Sequence, residues 1–379
     1  MAERAARAAA DRQNLLRVMP AKGIDSTSTS GFDVAVIGGG VIGLSVAWRA
    51  RARGLSVVVL DRGELGARTS RVAAGMLAPA SEADAQERSL LALNLESARL
   101  WPPFADELQD VTGLDVGMRT QGTLAVARDG DEKRALEREL DLRERLGLRA
   151  ERLLPSAARA LEPALAPSIR LGVDFPDDHS VDPRAVTTAL AVACERAGVE
   201  LRPGTEIASL DEIEAGQVVL AAGPWSAQLA PLPVRPVKGQ TIRLKGEPLL
   251  ERTLRFETGY LVPRADGRLI LGATMEERGF DTTMSALAVH DLLRDAAELV
   301  PGILELEIEE LIAGLRPGTP DNAPLIGRLD DRVVVATGHH RNGILLTPIT
   351  ARLVAAELAG ESEEHAFSPH RFAASGAAA

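Results

Sequence analysis

An unbroken apolar run, residues 34–37, stops at three consecutive glycines and passes straight into an apolar, alanine-rich stretch. A second apolar run, 56–60, ends on Asp61. Short apolar runs bounded by glycine read as buried strands, and the longer stretch between them reads as a helix. The order is therefore strand, tight turn, helix, strand, closed by an acid.

Further along, 89–108 and 131–146 predict helices, with a strand over 122–128 between them. A strand is expected at 170–175, then a turn at 176–178 and a helix over 183–197 opened by Pro183, with short strands near Val199 and Thr205. Residues 217–222 read as a strongly apolar strand ending at Gly223. From 231 to 271 the pattern changes to short alternating segments, VRPVKGQTIRL, GYLVPR and RLILGA, which predict an antiparallel sheet. A helix over 285–300 and a strand over 305–313 follow, then a buried parallel-type strand at 331–336 and a helix over 344–358.

The nucleotide-binding type of pattern thus stands at the start, recurs in the middle and closes the chain. This predicts an α/β protein with a Rossmann-like domain on a parallel sheet, in three pieces (31–90, 168–232 and 310–372). An inserted α+β domain with an antiparallel sheet takes 91–167 and 233–309. Residues 1–30 are expected as a flexible extension and 373–379 as a tail.

Composition narrows the function classes. At 379 residues the chain exceeds one ordinary core. A hydrophobic share of 45% with 26% charged residues describes a globular protein without a bilayer-length apolar stretch. The formal charge of −11 argues against nucleic acid or an anionic membrane as the main partner. The single cysteine, Cys194, excludes an internal disulfide framework, reads as core on an apolar helix face, and fits a reducing cytoplasm.

The glycine turn carries the first chemistry. Gly38 allows a sharp turn, Gly40 lets a pyrophosphate approach the backbone, and Gly43 lets helix and strand pack closely. The helix start supplies unpaired N–H groups for a diphosphate. Asp61 stands where a carboxylate accepts hydrogen bonds from ribose hydroxyls. A dinucleotide follows, FAD or NAD. In GARTSRVAAGMLAP, Thr69 and Ser70 offer hydroxyls to phosphate, while Ala73, Ala74 and Gly75 let backbone pass close to a flat ring. Gly223 ends a strand pointing at the nucleotide, and GHHRNGILL offers N–H groups to a flavin edge.

The segments RTSRVAAGML, GYLVPR, GATMEE, AGLRPGTPDNAPLIGR and GHHRNGILLTP resemble the glycine oxidase branch of the D-amino-acid oxidase family, associated with thiamine thiazole synthesis. The resemblance spans about 32–372. It implies non-covalent FAD at Val41, Ile42, Asp61, Arg62, Thr69, Ser70, Ala74, Gly75 and Met76, with Ile207 by the adenine. It also places the run His339, His340, Arg341, Asn342, Gly343, Ile344 and Leu345 against the flavin ring. For the substrate it implies Arg316 on the carboxylate, Tyr260 and Met275 in the pocket, and Arg341 as a second contact. Where the family often has a pocket histidine, this sequence has Thr258.

An always-charged, bidentate guanidinium suits a carboxylate held in an apolar pocket. The implied reaction passes hydride from the amine's Cα to the flavin. It leaves an imino acid that hydrolyses, with ammonia and hydrogen peroxide as co-products once O2 reoxidises the flavin. Glycine stands first among substrates, with sarcosine and D-alanine behind. A D-amino-acid dehydrogenase passing electrons to a quinone and a non-catalytic flavoprotein stay open as alternatives. So do homo-oligomer formation and hand-over of product to a thiazole synthase. No metal is expected, because His339 and His340 are adjacent on a turn and lack a third ligand. Asp177, Asp178 and His179 read as a solvated turn, Lys238 as a strand-edge lysine, and 305–310 as a half-exposed strand.

Overall fold

The computed structural model describes residues 28–84 and 86–376; all but 28–30 of the expected extension lie outside them, whereas 373–376 of the expected tail complete a 3-10 helix, Pro369–Gly376. Two sheets organise the chain. The first has six strands in the order Leu325–Arg328, Val333–Thr337, Gln217–Leu220, Val34–Ile37, Val57–Asp61 and Glu200–Pro203. All neighbours run parallel except the outermost pair, Leu325–Arg328 with Val333–Thr337. The central strands are buried on both faces, which is why they appear in sequence as continuous apolar runs instead of alternations.

The second sheet has eight strands in the order Glu307–Gly318, Arg235–Lys245, Arg268–Gly272, Gly259–Pro263, Thr253–Phe256, Thr123–Ala127, Leu171–Phe175 and Glu151–Leu153. It is antiparallel apart from one parallel pair, Thr253–Phe256 with Thr123–Ala127. The architecture is thus the expected one: a nucleotide-type parallel sheet plus an inserted, mainly antiparallel sheet.

Some domain boundaries differ from those read in the sequence. Helix Arg88–Thr112, expected in the inserted domain, packs Leu90, Leu93, Trp101, Phe104 and Leu108 into the core beside the six-stranded sheet. Its Trp101 donates Nε1–H to the Leu345 carbonyl at 2.8 Å. Strand Leu171–Phe175 and the whole of Glu307–Gly318, expected at least partly in the nucleotide domain, lie instead in the eight-stranded sheet. An amphipathic helix or a short apolar strand shows which face is buried but not against which sheet.

The glycine turn has the geometry its residues require. Gly38 has φ +110°, and a Cβ there would collide with the Ala221 carbonyl of the neighbouring strand. A Cβ at Gly43, in helix Val41–Ala52, would fall on the Gly38 carbonyl. Helix and turn are therefore in backbone contact. Gly43→Ala forces them apart, with an expected cost of about 1–3 kcal/mol or more from overpacking. A thermal melt that matches the unaltered protein would contradict that contact.

Candidate functional site

One cavity runs from the C-terminal ends of the parallel strands to the face of the eight-stranded sheet. Of the residues singled out in the sequence it gathers Gly38, Gly40, Val41, Ile42, Asp61, Arg62, Thr69, Ser70, Ala74, Gly75, Met76, Ile207 and Gly223, the run His339 to Ile344, and both Tyr260 and Arg316. Gly43, Leu345 and Met275 are not on its wall.

At one end the helix beginning at Val41 has no side-chain cap and no acid in its first turn, so its start is open to an anion. The Val41 N–H is bound to Ser70 Oγ at 3.1 Å, which leaves the Ser70 hydroxyl proton free to donate. Asp61 accepts Gly39 N–H on Oδ2 (2.7 Å) and Gly63 N–H on Oδ1 (2.8 Å). Each carboxylate oxygen keeps a lone pair for a ribose hydroxyl. The Arg62 guanidinium lies 4.1 Å over the Trp225 ring, so wall residues at this end are fixed by stacking. The Thr69 hydroxyl donates to the Leu315 carbonyl at 2.7 Å and ties the loop to the second sheet.

The middle of the cavity is closed by the C-terminal turn. His339 is buried, with Nε2 3.0 Å from Thr350 Oγ1, and burial pushes its pKa down to about 3. His340 is pushed down to about 3 by burial and by Arg341, Arg316 and Arg235. Both imidazoles are neutral at physiological pH. Leu345 is a correction: its carbonyl accepts from Ser97 Oγ (2.6 Å) and Trp101 Nε1, so it faces the core and not the cavity. Among the described residues no group of three or more histidine, cysteine or acidic side chains is placed to hold a metal ion.

At the far end the eight-stranded sheet presents Tyr260 and Arg316. Arg316 Nη1 donates to the carbonyls of Thr274 (3.1 Å) and Lys238 (3.4 Å), and no carboxylate pairs with it among the described residues. Its guanidinium lies over Gly239, where any Cβ would strike it, and the Tyr260 ring lies over Gly272 in the same way. The two glycines are clearances for the two side chains. Burial raises the Tyr260 pKa, with Arg316 opposing, so the phenol stays a donor. Arg341 stands at the mouth, 4.0 Å from Glu82.

Met275 is a second correction. It is 58% exposed, because its neighbours Thr274 and Glu276 turn inward to Gln240 and it points the opposite way. Thr258, at the family's histidine position, is also off the wall and bonds Asp295. Lys238 is no strand-edge residue: it is buried, with Nζ 2.6 Å from Asp281. Sequence reasoning missed Glu82, Trp225, Gly239, Thr241 and Gly314 on the wall. Alternation along VRPVKGQTIRL could have flagged Gly239 and Thr241, which share one face, whereas Glu82 carries no local signal.

Asp178 overturns the solvated-turn reading. It is fully buried and accepts the N–H groups of Ala80 (3.0 Å) and Ser81 (2.8 Å), while buried Arg143 donates to the Ala80 and Ser81 carbonyls at 3.2 and 2.8 Å. The segment that carries Glu82 is thereby fastened from behind on both its donors and its acceptors.

Comparison with known proteins places this geometry. Residues 33–357 match the family model DAO, described as FAD dependent oxidoreductase. The bifunctional protein ThiO/ThiG of Trichormus variabilis is 36% identical over 344 residues, covering 85% of this chain and 52% of that protein. The chain thus spans about half the length of that relative. Glycine oxidase of Geobacillus kaustophilus is 35% identical over 350 residues, 86% of this chain and 93% of that one. Its crystal structure superposes with a TM-score of 0.85, covering 90% and 98% of the two chains.

Two outcomes test the site. Burial raises Asp178 from 3.8 to about 6. The folded state therefore holds a proton that the unfolded state releases between those values, and stability falls as pH rises across that window, by about 3 kcal/mol in total. Unfolding titrations should show this slope, and Asp178→Asn should flatten it. Asp61→Ala should weaken FAD binding about ten-fold or more, the loss of charged hydrogen bonds. Fluorescence titration of the flavin-free protein would show equal affinity if Asp61 has no such role.

Proposed function

The chain belongs to the DAO family of FAD-dependent oxidoreductases, and from that premise we propose that it oxidises glycine and similarly small amines such as sarcosine and D-alanine. The observation that carries this reading is Arg316: a guanidinium balanced on two carbonyls, facing the cofactor cavity without a carboxylate partner among the described residues. A charge so placed leaves its remaining N–H groups for an anionic ligand, and the carboxylate of an amino acid fits their fork.

FAD fits the residues present: the uncapped helix start for its diphosphate, Asp61 for its ribose, and small residues 73–75 together with the turn at 339–344 for its ring. When bound, the flavin supplies the two-electron acceptor. The chain's own contribution is orientation. Arg316 fixes the substrate carboxylate, and the Tyr260 hydroxyl donates to the same group. Arg341 and Glu82 flank the entrance as an opposite-charge pair. His339 and His340 are held neutral and too weakly basic to compete for the ammonium proton, so the amine is taken up or rendered neutral without them. Holding Cα against the acceptor in this way is the larger part of what such a site needs to provide.

The products of this reading are an imino acid, hydrolysed to glyoxylate and ammonia, and H2O2 from O2. The glycine oxidase relatives support the amine class. The ThiO/ThiG relative, in which the matched part shares a chain with a second part, supports delivery of the imine to thiamine thiazole synthesis.

Glycine added to the purified yellow protein without oxygen should bleach its visible absorption, and readmitting air should restore the colour with stoichiometric peroxide. Bleaching without peroxide would select a dehydrogenase using another acceptor; no bleaching by any small amino acid removes the proposal. Arg316→Met should lower kcat/KM by about 10²–10⁴, the cost of about 3–5 kcal/mol for a lost buried charge pair, with FAD still bound. Unchanged kinetics would take Arg316 out of the site.

A further inference from the structure

Two fully or nearly fully buried arginines have no part in the account so far. Arg243 lies in strand Arg235–Lys245 and is 0% exposed; Arg264 follows strand Gly259–Pro263 and is 5% exposed. Neither reaches the cavity wall. Burying a guanidinium costs several kcal/mol unless something in the fold requires its charge or its donors, so their partners matter.

Both hold the same short segment. Arg243 Nη2 donates to the Arg71 carbonyl at 2.7 Å, and Arg264 Nη2 donates to the Ala74 carbonyl. Register explains how they meet it. Arg243 pairs with Ile270, which pairs with Val262, so the three stand in one row on one face of the sheet. Ala74 packs on Ile270 and Val262, and the two guanidiniums flank that contact. Residues Val72 to Met76 also line the cofactor cavity. Tyr260 lies one row further along the same face.

The charge is incompletely balanced. Glu310 is shared among Arg71, Arg184 and Arg243, and Asp182 pairs with Arg268 and faces Arg264. Among the described residues Nε and Nη1 of both Arg243 and Arg264 lack a hydrogen-bond partner, with Arg243 Nε 3.3 Å from the shared Glu310 carboxylate. Desolvation lowers each pKa to about 10, so both remain charged at neutral pH. Unscreened positive charge in a low-dielectric interior acts at longer range than it would at a surface.

We propose that Arg243 and Arg264 are positioning residues for the flavin: they grip the carbonyls of Arg71 and Ala74 so that the segment meets the cofactor, and their buried charge raises its reduction potential. The inference rests on FAD binding alone, so an error in the choice of amine leaves it standing.

The test uses purified holoenzyme carrying Arg243→Met or Arg264→Met, which remove charge and donors at similar volume. FAD should dissociate about ten-fold more readily or worse, and the midpoint potential of the flavin should fall. Arg152→Met serves as the control. It removes a guanidinium on Glu151–Leu153, the far edge strand of the same sheet, where it is bound to Glu137, and should leave FAD affinity and the potential unchanged. Where a Met variant does not fold, Arg243→Lys or Arg264→Lys decides, keeping the potential near the starting value while weakening FAD. A folded Met variant with unaltered affinity and potential overturns the proposal, as does a Lys variant that binds FAD like the unaltered protein.

Discussion

The cavity is built around a guanidinium, Arg316, that no carboxylate pairs with among the described residues. Arg316 projects from the edge strand of the eight-stranded sheet, rests on the Thr274 and Lys238 carbonyls, and needs Gly239 beneath it. Carbonyl partners orient the charge without neutralising it, which a carboxylate would do. The neighbouring cations and histidines follow suit: Arg341 is only loosely matched by Glu82, His339 is kept neutral by burial, and His340 by burial together with Arg341, Arg316 and Arg235. The result is an electropositive pocket against a cofactor cavity, suited to an anionic ligand that brings its own balancing charge.

Much of this was legible in the chain because it depends on local backbone demands. Gly38, Gly40 and Gly43 after an apolar run, an acid at the end of the next run, and small residues at 73–75 each record a close approach of backbone to something else, and the cavity contains them all except Gly43, whose task is packing. Arg316 and Tyr260 were singled out through family motifs, and both line the cavity.

What escaped notice depends on tertiary direction. Met275 and Leu345 sit in recognisable motifs, but alternation turns the first outward and the carbonyl of the second toward Trp101. Thr69 lines the cavity as its motif suggests, but its hydroxyl donates to the Leu315 carbonyl, a partner the sequence does not disclose. Asp178 lies in PDDHS, a composition that belongs to solvated turns; nothing within five residues discloses that two amides from position 80 onward converge on it. Helix Arg88–Thr112 shows its apolar face clearly in sequence, yet that face fits either sheet.

The double fastening of residues 80 and 81 has a wider meaning. Asp178 and Arg143 belong to the rear of the molecule and meet no ligand, yet they dictate the contour of the rim on which Glu82 stands. Substitutions at these concealed residues can therefore reshape the cavity wall at Glu82 without altering any residue on that wall.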